Sequence, residues 1–162
     1  MNVDRILETF NRHQVAYLLI GGMNFLLRHK PVLTYDVDLW VEDTTENLRR
    51  CEAALVELGA EWGRTEADWE KVSQRASGWL QMQAVFCLAS PHGAIDIFRE
   101  VRGLERWSGA RRRALNERTT SGVPYWGLAD EDMLRCQQAL DESQRNRDRI
   151  ATLQEALKRR SK

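Results

Sequence analysis

The segment of residues 36–42 constrains the fold of this chain more than any other part of the sequence. Val37, Leu39 and Val41 alternate with acidic or aromatic residues throughout it. Successive side chains of a β-strand point to opposite faces of the sheet, so this alternation predicts a strand with one apolar and one acidic face. The chain must therefore bury one side of a sheet while leaving carboxylates on the other.

Other segments predict the rest of the secondary structure. The continuous apolar run of residues 15–20, ended by Gly21-Gly22, predicts a buried strand. Residues 82–88 and 94–99 predict a hairpin around the turn at Pro91. Apolar residues at helical spacing predict helices, which cover residues 3–13, 23–28, 45–58, 104–115, 130–140 and 143–157. Residues 60–80 have no clear periodicity, and residues 119–127 predict a short extended segment.

These elements together predict an α+β fold, with a small mixed β-sheet flanked by helices. The length of 162 residues fits one domain with a small appendage. Strands are concentrated in the first part of the chain. We therefore expect a core domain over residues 1–103 and a mainly helical C-terminal extension over residues 104–162 that packs on it.

Composition excludes several classes of protein. With 43% apolar residues the chain can form a core, and its net charge of zero argues against bulk electrostatic binding to nucleic acid. The longest apolar run is too short to cross a bilayer, and the N-terminus does not resemble a secretory signal. Three widely spaced cysteines and three unclustered histidines predict neither disulfides nor structural zinc. We expect a cytoplasmic protein.

Charge is distributed unevenly along this neutral chain. Residues 30–70 contain four basic and eleven acidic residues, whereas residues 145–162 contain seven basic and two acidic ones. The basic C-terminal segment has two interpretations. It can contact phosphate groups, or it can be a solvated helix end whose charge complements the helix dipole.

Three aspartates are the candidate metal ligands. Asp36 and Asp38 are two residues apart on a predicted strand, so both carboxylates project from one face. Asp96 lies between isoleucines on another predicted strand. Carboxylate oxygens a few ångströms apart suit a hard divalent cation such as Mg²⁺ or Mn²⁺. The alternative is an acidic sheet face that holds no metal.

Residues near these acids are candidates for ligand binding. Gly21 and Gly22 at a strand-to-helix junction allow close approach of an anion to backbone N–H groups, although many glycine pairs only shape a turn. Four side chains near the acids in sequence are further candidates: Asn24, Arg28, Lys30 and Trp40. Trp40 can stack on a base, and the two basic residues can contact phosphates. Packing and a solvated helix end are the corresponding structural interpretations.

The combination of these features resembles the nucleotidyltransferase fold of the polymerase-β-like superfamily. That pattern is a hydrophobic strand, a glycine pair, an Asp-x-Asp strand and a later strand aspartate. Here thirteen residues separate Gly22 from Asp36. The strings Leu19-Ile-Gly-Gly-Met-Asn-Phe-Leu-Leu-Arg-His29 and Thr34-Tyr-Asp-Val-Asp-Leu-Trp-Val41 are similar to a bacterial branch that includes abortive-infection and toxin–antitoxin nucleotidyltransferases.

The resemblance implies metal-assisted transfer of a nucleoside monophosphate from a nucleoside triphosphate, such as ATP, to an acceptor hydroxyl. Asp36 and Asp38 would hold Mg²⁺ or Mn²⁺ on the triphosphate. Asp96 would complete a second metal site or act as the base. The acceptor can be RNA such as transfer RNA, a partner protein or a small molecule. An apolar face on the C-terminal helix also allows a homodimer.

The sequence departs from the family pattern in two places. Many members have a serine after the first glycine, where this chain has Gly22 followed by Met23, and Asn24 is a substitute contact. The basic C-terminal string of the family has only approximate counterparts in Arg135 and Arg147-Asp148. An alternative is therefore a non-catalytic regulatory or binding module that retains the fold. A plain structural domain is a third interpretation.

Overall fold

Six strands form the mixed sheet on which the other elements pack. The computed structural model describes residues 1–162. The strands are β1 (Tyr17–Ile20), β2 (Asp36–Val41), β3 (Glu61–Trp62), β4 (Glu70–Lys71), β5 (Val85–Leu88), β6 (Ala94–Phe98), β7 (Leu115–Arg118) and β8 (Pro124–Gly127). The main sheet has the order β5-β6-β2-β1-β8-β7, and β3 pairs with β4 in a separate ribbon. Strand β2 runs parallel to β6 and β1 parallel to β8, whereas the other pairs are antiparallel.

Six α-helices complete the fold. They are α1 (Val3–Arg12), α2 (Gly21–Arg28), α3 (Thr45–Glu57), α4 (Trp107–Arg113), α5 (Asp130–Ala139) and α6 (Arg147–Arg160). The predicted α+β class and the mixed sheet flanked by helices are confirmed. None of these helices combines the length and the apolar character needed to span a membrane.

The two faces of the sheet have separate hydrophobic cores. The larger cluster contains 26 buried residues and joins the inner faces of α1 and α3 to the sheet. Val37, Leu39 and Val41 of β2 belong to it, as the alternation predicts. The smaller cluster of nine buried residues lies on the opposite face and includes side chains of α4, α5 and α6. The face that carries Asp36 and Asp38 is thus the one covered by the C-terminal helices.

Asn47 connects α3 to the strands that precede it. The Oγ1 atom of Thr44 accepts a hydrogen bond from Asn47 N at 3.2 Å and caps the N-terminus of the helix. The buried Asn47 amide then bonds both backbone groups of Ala16 and donates to Glu42 O at 2.9 Å. One side chain therefore satisfies backbone groups at the ends of β1 and β2.

Residues 60–80 form short elements around a cluster of aromatic rings. Trp62 and Trp79 stack with ring centroids 5.7 Å apart, and both rings contact Phe86 edge-on. One short 3₁₀ turn, Glu66–Asp68, connects β3 to β4, and two more, Val72–Gln74 and Trp79–Gln81, lie between β4 and β5. Tertiary packing of aromatic side chains organises this segment, which is why periodicity predicts no element in it.

The C-terminal part of the chain differs from its prediction in three respects. The helix predicted over 104–115 covers only 107–113, because Leu115 begins strand β7. The helix predicted over 143–157 begins at Arg147, after a 3₁₀ turn, and extends to Arg160. The segment expected to be mainly helical also supplies β7 and β8, and β8 pairs with β1. Strands from both sides of residue 103 therefore belong to one sheet. The domain boundary at residue 103 stays a prediction.

A buried ion-pair network holds α6 against the core. Asp130, at the start of α5, is fully buried and lies 3.0 Å from Arg28 Nη1, 2.8 Å from His29 Nε2 and 3.0 Å from Arg160 Nη2. Arg28 is only 5% exposed, whereas Arg160 is 51% exposed. The Asp130 carboxylate and the Arg28 guanidinium are both buried. Loss of either charge would leave the other buried and unpaired, which destabilises a folded protein.

Replacing Asp130 should destabilise the fold strongly. Asp130→Asn leaves the Arg28 guanidinium buried without a counter-charge, and we expect the free energy of unfolding to fall by about 3–5 kcal/mol. The matched control is Asp148→Asn, because the Asp148 carboxylate pairs with Lys30 but is 70% exposed. That change should cost about 0–1 kcal/mol. Urea denaturation measures both, and equal effects of the two substitutions would contradict this account of the network.

Candidate metal centre

Strand register places the acidic residues in one row across the sheet. Asp38 of β2 pairs with Asp96 of β6, and Asp96 pairs with Cys87 of β5. On the other side Asp38 pairs with Ile20, the last residue of β1. Paired residues of neighbouring strands project to the same face of a sheet. The row therefore ends at the start of α2, which begins at Gly21 directly after β1.

The three predicted metal ligands converge. Asp36, Asp38 and Asp96 each offer a carboxylate oxygen, and these oxygens lie within 4.8 Å of one another. All three residues are partly buried. Three carboxylate oxygens at this spacing form a donor set that fits a hard divalent cation such as Mg²⁺ or Mn²⁺. Their roles as ligands and catalytic groups stay predictions.

Mutual repulsion and burial change the acidity of this cluster. Burial, followed by the charges of Asp36 and Asp96, raises the pKa of Asp38 to about 8. Burial and the charge of Asp36 raise the pKa of Asp96 to about 6. A carboxylate cluster that resists ionisation needs a compensating positive charge to hold all of its negative charges. The Arg149 charge on α6 offsets part of the rise in the pKa of Asp38, and a bound cation would supply the rest of the compensation.

The two glycines allow the start of α2 to approach the acids closely. Gly21 has φ +68°, and a Cβ atom added there would lie 2.1 Å from Asp38 Oδ2. A Cβ atom at Gly22 would lie 3.0 Å from Thr34 Oγ1. Any larger residue at position 21 would therefore collide with the carboxylate. Because helix N-termini have unpaired N–H groups, this contact brings potential anion donors beside the candidate metal ligands.

Arg149 of α6 also lies at this centre, although its sequence position does not point to it. A Cβ atom at Gly22 would lie 3.4 Å from Arg149 Nη2, and the guanidinium carbon lies 5.3 Å from the centroid of the Phe25 ring. The sequence signal was the basic charge of residues 145–162, which does not distinguish one arginine from its neighbours. Only the packing of α6 against α2 makes the distinction.

A cleft opens beside these residues. Its volume is about 640 Å³, and Gly21, Asp38 and Arg149 are among the residues that line it. Most of the other lining residues are apolar, such as Phe98 and Leu104. A mainly apolar cleft of this volume with some polar groups is typical of small-molecule binding sites.

Packing and ion pairs engage the other candidate nucleotide-binding residues. Asn24 is fully buried and donates to Leu128 O at 3.0 Å. Arg28 lies in the Asp130 network, and Lys30 Nζ is 2.8 Å from Asp148 Oδ2. These three side chains are on α2 or just after it, but their polar groups bind the C-terminal part of the chain.

Trp40 shares the sheet face of the acids, as predicted, but its ring is buried. The side chain is 2% exposed within the smaller core, and its Nε1 atom donates to Arg99 O at 3.3 Å. Trp107 Nε1 donates to the Trp40 carbonyl at 3.1 Å. The ring therefore has packing partners and no open face for a base. Nucleotide binding by Trp40, Asn24, Arg28 and Lys30 stays a prediction that these contacts do not favour.

The sequence matches no family model, and no curated protein is significantly similar to it. Comparison with solved structures does find similar folds. The crystal structure of a "putative nucleotidyltransferase" from Thermotoga maritima aligns with a TM-score of 0.54 and 16% identity, over 97% of this chain and 91% of that one. JHP933 from Helicobacter pylori aligns with a TM-score of 0.38 and 11% identity, over 89% of this chain and 58% of that one. The chain thus has a nucleotidyltransferase-like fold.

Neutralising Asp38 should stabilise the metal-free protein at alkaline pH. Since the pKa of Asp38 is 3.8 before folding and about 8 after it, its contribution to stability is present below pH 3.8 and is lost as the pH rises through about 8. Asp38→Asn removes this loss. In a chelating buffer near pH 8, we expect the free energy of unfolding of the variant to be about 1–2 kcal/mol higher than that of the wild type. This difference should raise its melting temperature by about 2–8 °C.

Thermal melts across this pH range measure the effect, and the difference should vanish in acid. Added Mg²⁺ should raise the melting temperature of the wild type and leave that of Asp38→Asn unchanged, because a ligand selective for the folded state stabilises it. An Asp38→Asn variant that melts below the metal-free wild type near pH 8 would contradict the electrostatic account.

Adding a methyl group at Gly21 should disrupt the centre. Gly21→Ala places Cβ against the Asp38 carboxylate and strains a residue with positive φ. The matched control is Gly122→Ala, where φ is +92° but no atom lies within 4 Å of the added Cβ. Both variants should lose about 1–3 kcal/mol from backbone strain. Only Gly21→Ala should also lose the stabilisation by Mg²⁺, and retention of that stabilisation would refute the proposed contact.

Proposed function

We propose that this protein is a metal-dependent nucleotidyltransferase that transfers a nucleoside monophosphate from a nucleoside triphosphate to an acceptor hydroxyl. The observation that carries the proposal is the convergence of Asp36, Asp38 and Asp96 within 4.8 Å beside the N-terminus of α2. The nucleotidyltransferase-like fold supports it. Because of its Gly-Gly and Asp-x-Asp strings, we further propose that it belongs to the bacterial branch that includes abortive-infection and toxin–antitoxin nucleotidyltransferases.

The residues present fit a divalent cation. Their ligand atoms are carboxylate oxygens, which Mg²⁺ and Mn²⁺ prefer, and their mutual repulsion favours a bound positive charge. Such an ion, when bound, neutralises negative charge on the phosphoryl oxygens and polarises the phosphorus that is attacked. In this proposal Asp36 and Asp38 hold it on the triphosphate, and Asp96 borders the same position.

The protein groups at the site have complementary tasks in the reaction. A new bond forms between the acceptor oxygen and the α-phosphorus, while the bond from that phosphorus to the α–β bridging oxygen breaks. Pyrophosphate leaves with the electron pair of the broken bond. Asp96 accepts the proton of the acceptor hydroxyl, because its carboxylate lies beside those of Asp36 and Asp38 at the same centre. Backbone N–H groups of α2 bind phosphate oxygens.

The cleft beside Asp38 gives the acceptor hydroxyl access to the metal centre. RNA, a partner protein and a small molecule remain the acceptor classes that the sequence suggests. The mainly apolar wall of the cleft favours an acceptor with an apolar body, because an RNA backbone would gain few favourable contacts from it.

Transfer activity should depend on the three acids. With radiolabelled nucleoside triphosphates, Mg²⁺ and cell extract as the acceptor source, we expect wild-type protein to transfer label and chelation to abolish transfer. The double variant Asp36→Asn/Asp38→Asn should lower the rate at least about a thousandfold, since removing the charges that hold the cation removes its stabilisation of the transition state.

The matched control for this assay is Glu66→Gln, which neutralises an exposed carboxylate in a 3₁₀ turn far along the chain from the three acids. It should transfer label at the wild-type rate. Full transfer by the double variant would show that the metal assignment is wrong. Triphosphate binding by wild-type protein, with no transfer to any acceptor fraction, would favour the non-catalytic binding module.

A further inference from the structure

The Arg149 guanidinium lies in the cleft beside the candidate metal centre. Its Nη2 atom is 3.4 Å from the Cβ position of Gly22, and it lines the cleft together with Gly21 and Asp38. It therefore borders both the N-terminus of α2 and the carboxylate row. These are the two features that the proposed function assigns to phosphates and to their metal ion.

This guanidinium packs over the Phe25 ring and interacts electrostatically with Asp38, but it makes no hydrogen bond or ion pair within the protein. Its Nε atom is buried and makes no hydrogen bond, and the hydrogen bond of residue 149 is a capping bond from its backbone N to Asn146 Oδ1. Neighbouring arginines differ in this respect, because Arg28 and Arg160 pair with Asp130 and Arg145 donates to backbone carbonyls. A half-buried guanidinium with free donors is costly unless a ligand satisfies them.

The position of Arg149 is fixed by contacts on both sides of it along α6. Asp148 pairs with Lys30, and Asn146 N donates to Gln137 Oε1 at 2.9 Å. Further along the helix, Leu153 is fully buried and Arg160 reaches Asp130. The side chain thus projects from a helix held at several points and is preorganised to bind a ligand.

We propose that Arg149 binds phosphate oxygens of the nucleoside triphosphate, on the side of the site next to Gly22, and stabilises the pyrophosphate as it leaves. This inference rests on the proposed function. The planar guanidinium matches the geometry of phosphate oxygens and forms charge-assisted hydrogen bonds with them. Its contacts involve the polyphosphate and not the base, so all nucleoside triphosphates should depend on it equally. Helix α6 then contributes a phosphate-binding side chain to the site.

Binding of inorganic tripolyphosphate tests this role without requiring transfer activity. Isothermal titration calorimetry in Mg²⁺ would compare the wild type with Arg149→Ala and Arg149→Lys, each checked for folding by circular dichroism. Arg149→Ala should weaken binding of tripolyphosphate and of ATP by a similar factor, on the order of tenfold or more. Arg149→Lys should recover part of the affinity, because it keeps the charge but loses the planar donor pair.

The matched control is Arg159→Ala, which removes a 77% exposed arginine near the end of the same helix. Its affinity for tripolyphosphate should stay within about twofold of the wild type. Wild-type affinity in Arg149→Ala would overturn the proposal. So would a loss for ATP without a loss for tripolyphosphate, which would place the arginine on the nucleoside, or an absence of tripolyphosphate binding by the wild type.

The same variants separate this inference from the proposed function. If the wild type binds tripolyphosphate through Arg149 but transfers no label, the transferase proposal fails and the phosphate contact stands. If the wild type transfers label and Arg149→Ala does so with unchanged KM and kcat, the transferase proposal stands and the phosphate contact fails.

Discussion

The parallel pairing of β2 with β6 is the constraint on which the candidate site depends. This pairing sets Asp38 opposite Asp96 and brings Asp36 onto the same face, so three like charges lie within 4.8 Å. Electrostatic repulsion opposes that arrangement, and the opposite face of β2 offsets it. Val37, Leu39 and Val41 are fully buried there, and moving the strand by one residue would expose them and bury the acids. Register therefore couples the apolar core to the acidic cluster.

The C-terminal half of the chain completes the candidate site, whose three carboxylates come from β2 and β6. Helices α4, α5 and α6 cover the acidic face of the sheet, and the buried Asp130 network attaches α6 to the end of α2. That attachment places the Arg149 guanidinium, which makes no hydrogen bond or ion pair, beside the carboxylates and leaves the cleft open. The uneven charge of the sequence is explained in part by this arrangement, because the acidic segment supplies Asp36 and Asp38 and the basic segment supplies Arg149 beside them.

Much of this arrangement can be predicted from the sequence because it depends on local patterns. Alternation places Asp36 and Asp38 on one face, and the glycine pair marks the junction of β1 and α2. Arg149 cannot be predicted in this way, since its position depends on how a distant helix packs and its neighbours Arg145 and Arg147 have the same chemistry. Trp40 shows the opposite problem. Its strand face is predicted correctly, but the Trp107 side chain and the C-terminal helices cover it. The β7 strand is missed because Leu115, its one apolar residue, continues a helical pattern and the three residues after it are polar.

The most direct test of the central claim is the position of a metal ion relative to the three aspartates. Anomalous scattering from a crystal of the protein grown with Mn²⁺ and a non-hydrolysable triphosphate would locate the ion. The account predicts a peak about 2.0–2.3 Å from carboxylate oxygens of Asp36 and Asp38, next to Asp96 and in contact with the triphosphate. A triphosphate bound elsewhere, or Mn²⁺ held by other residues while these three acids coordinate nothing, would contradict it.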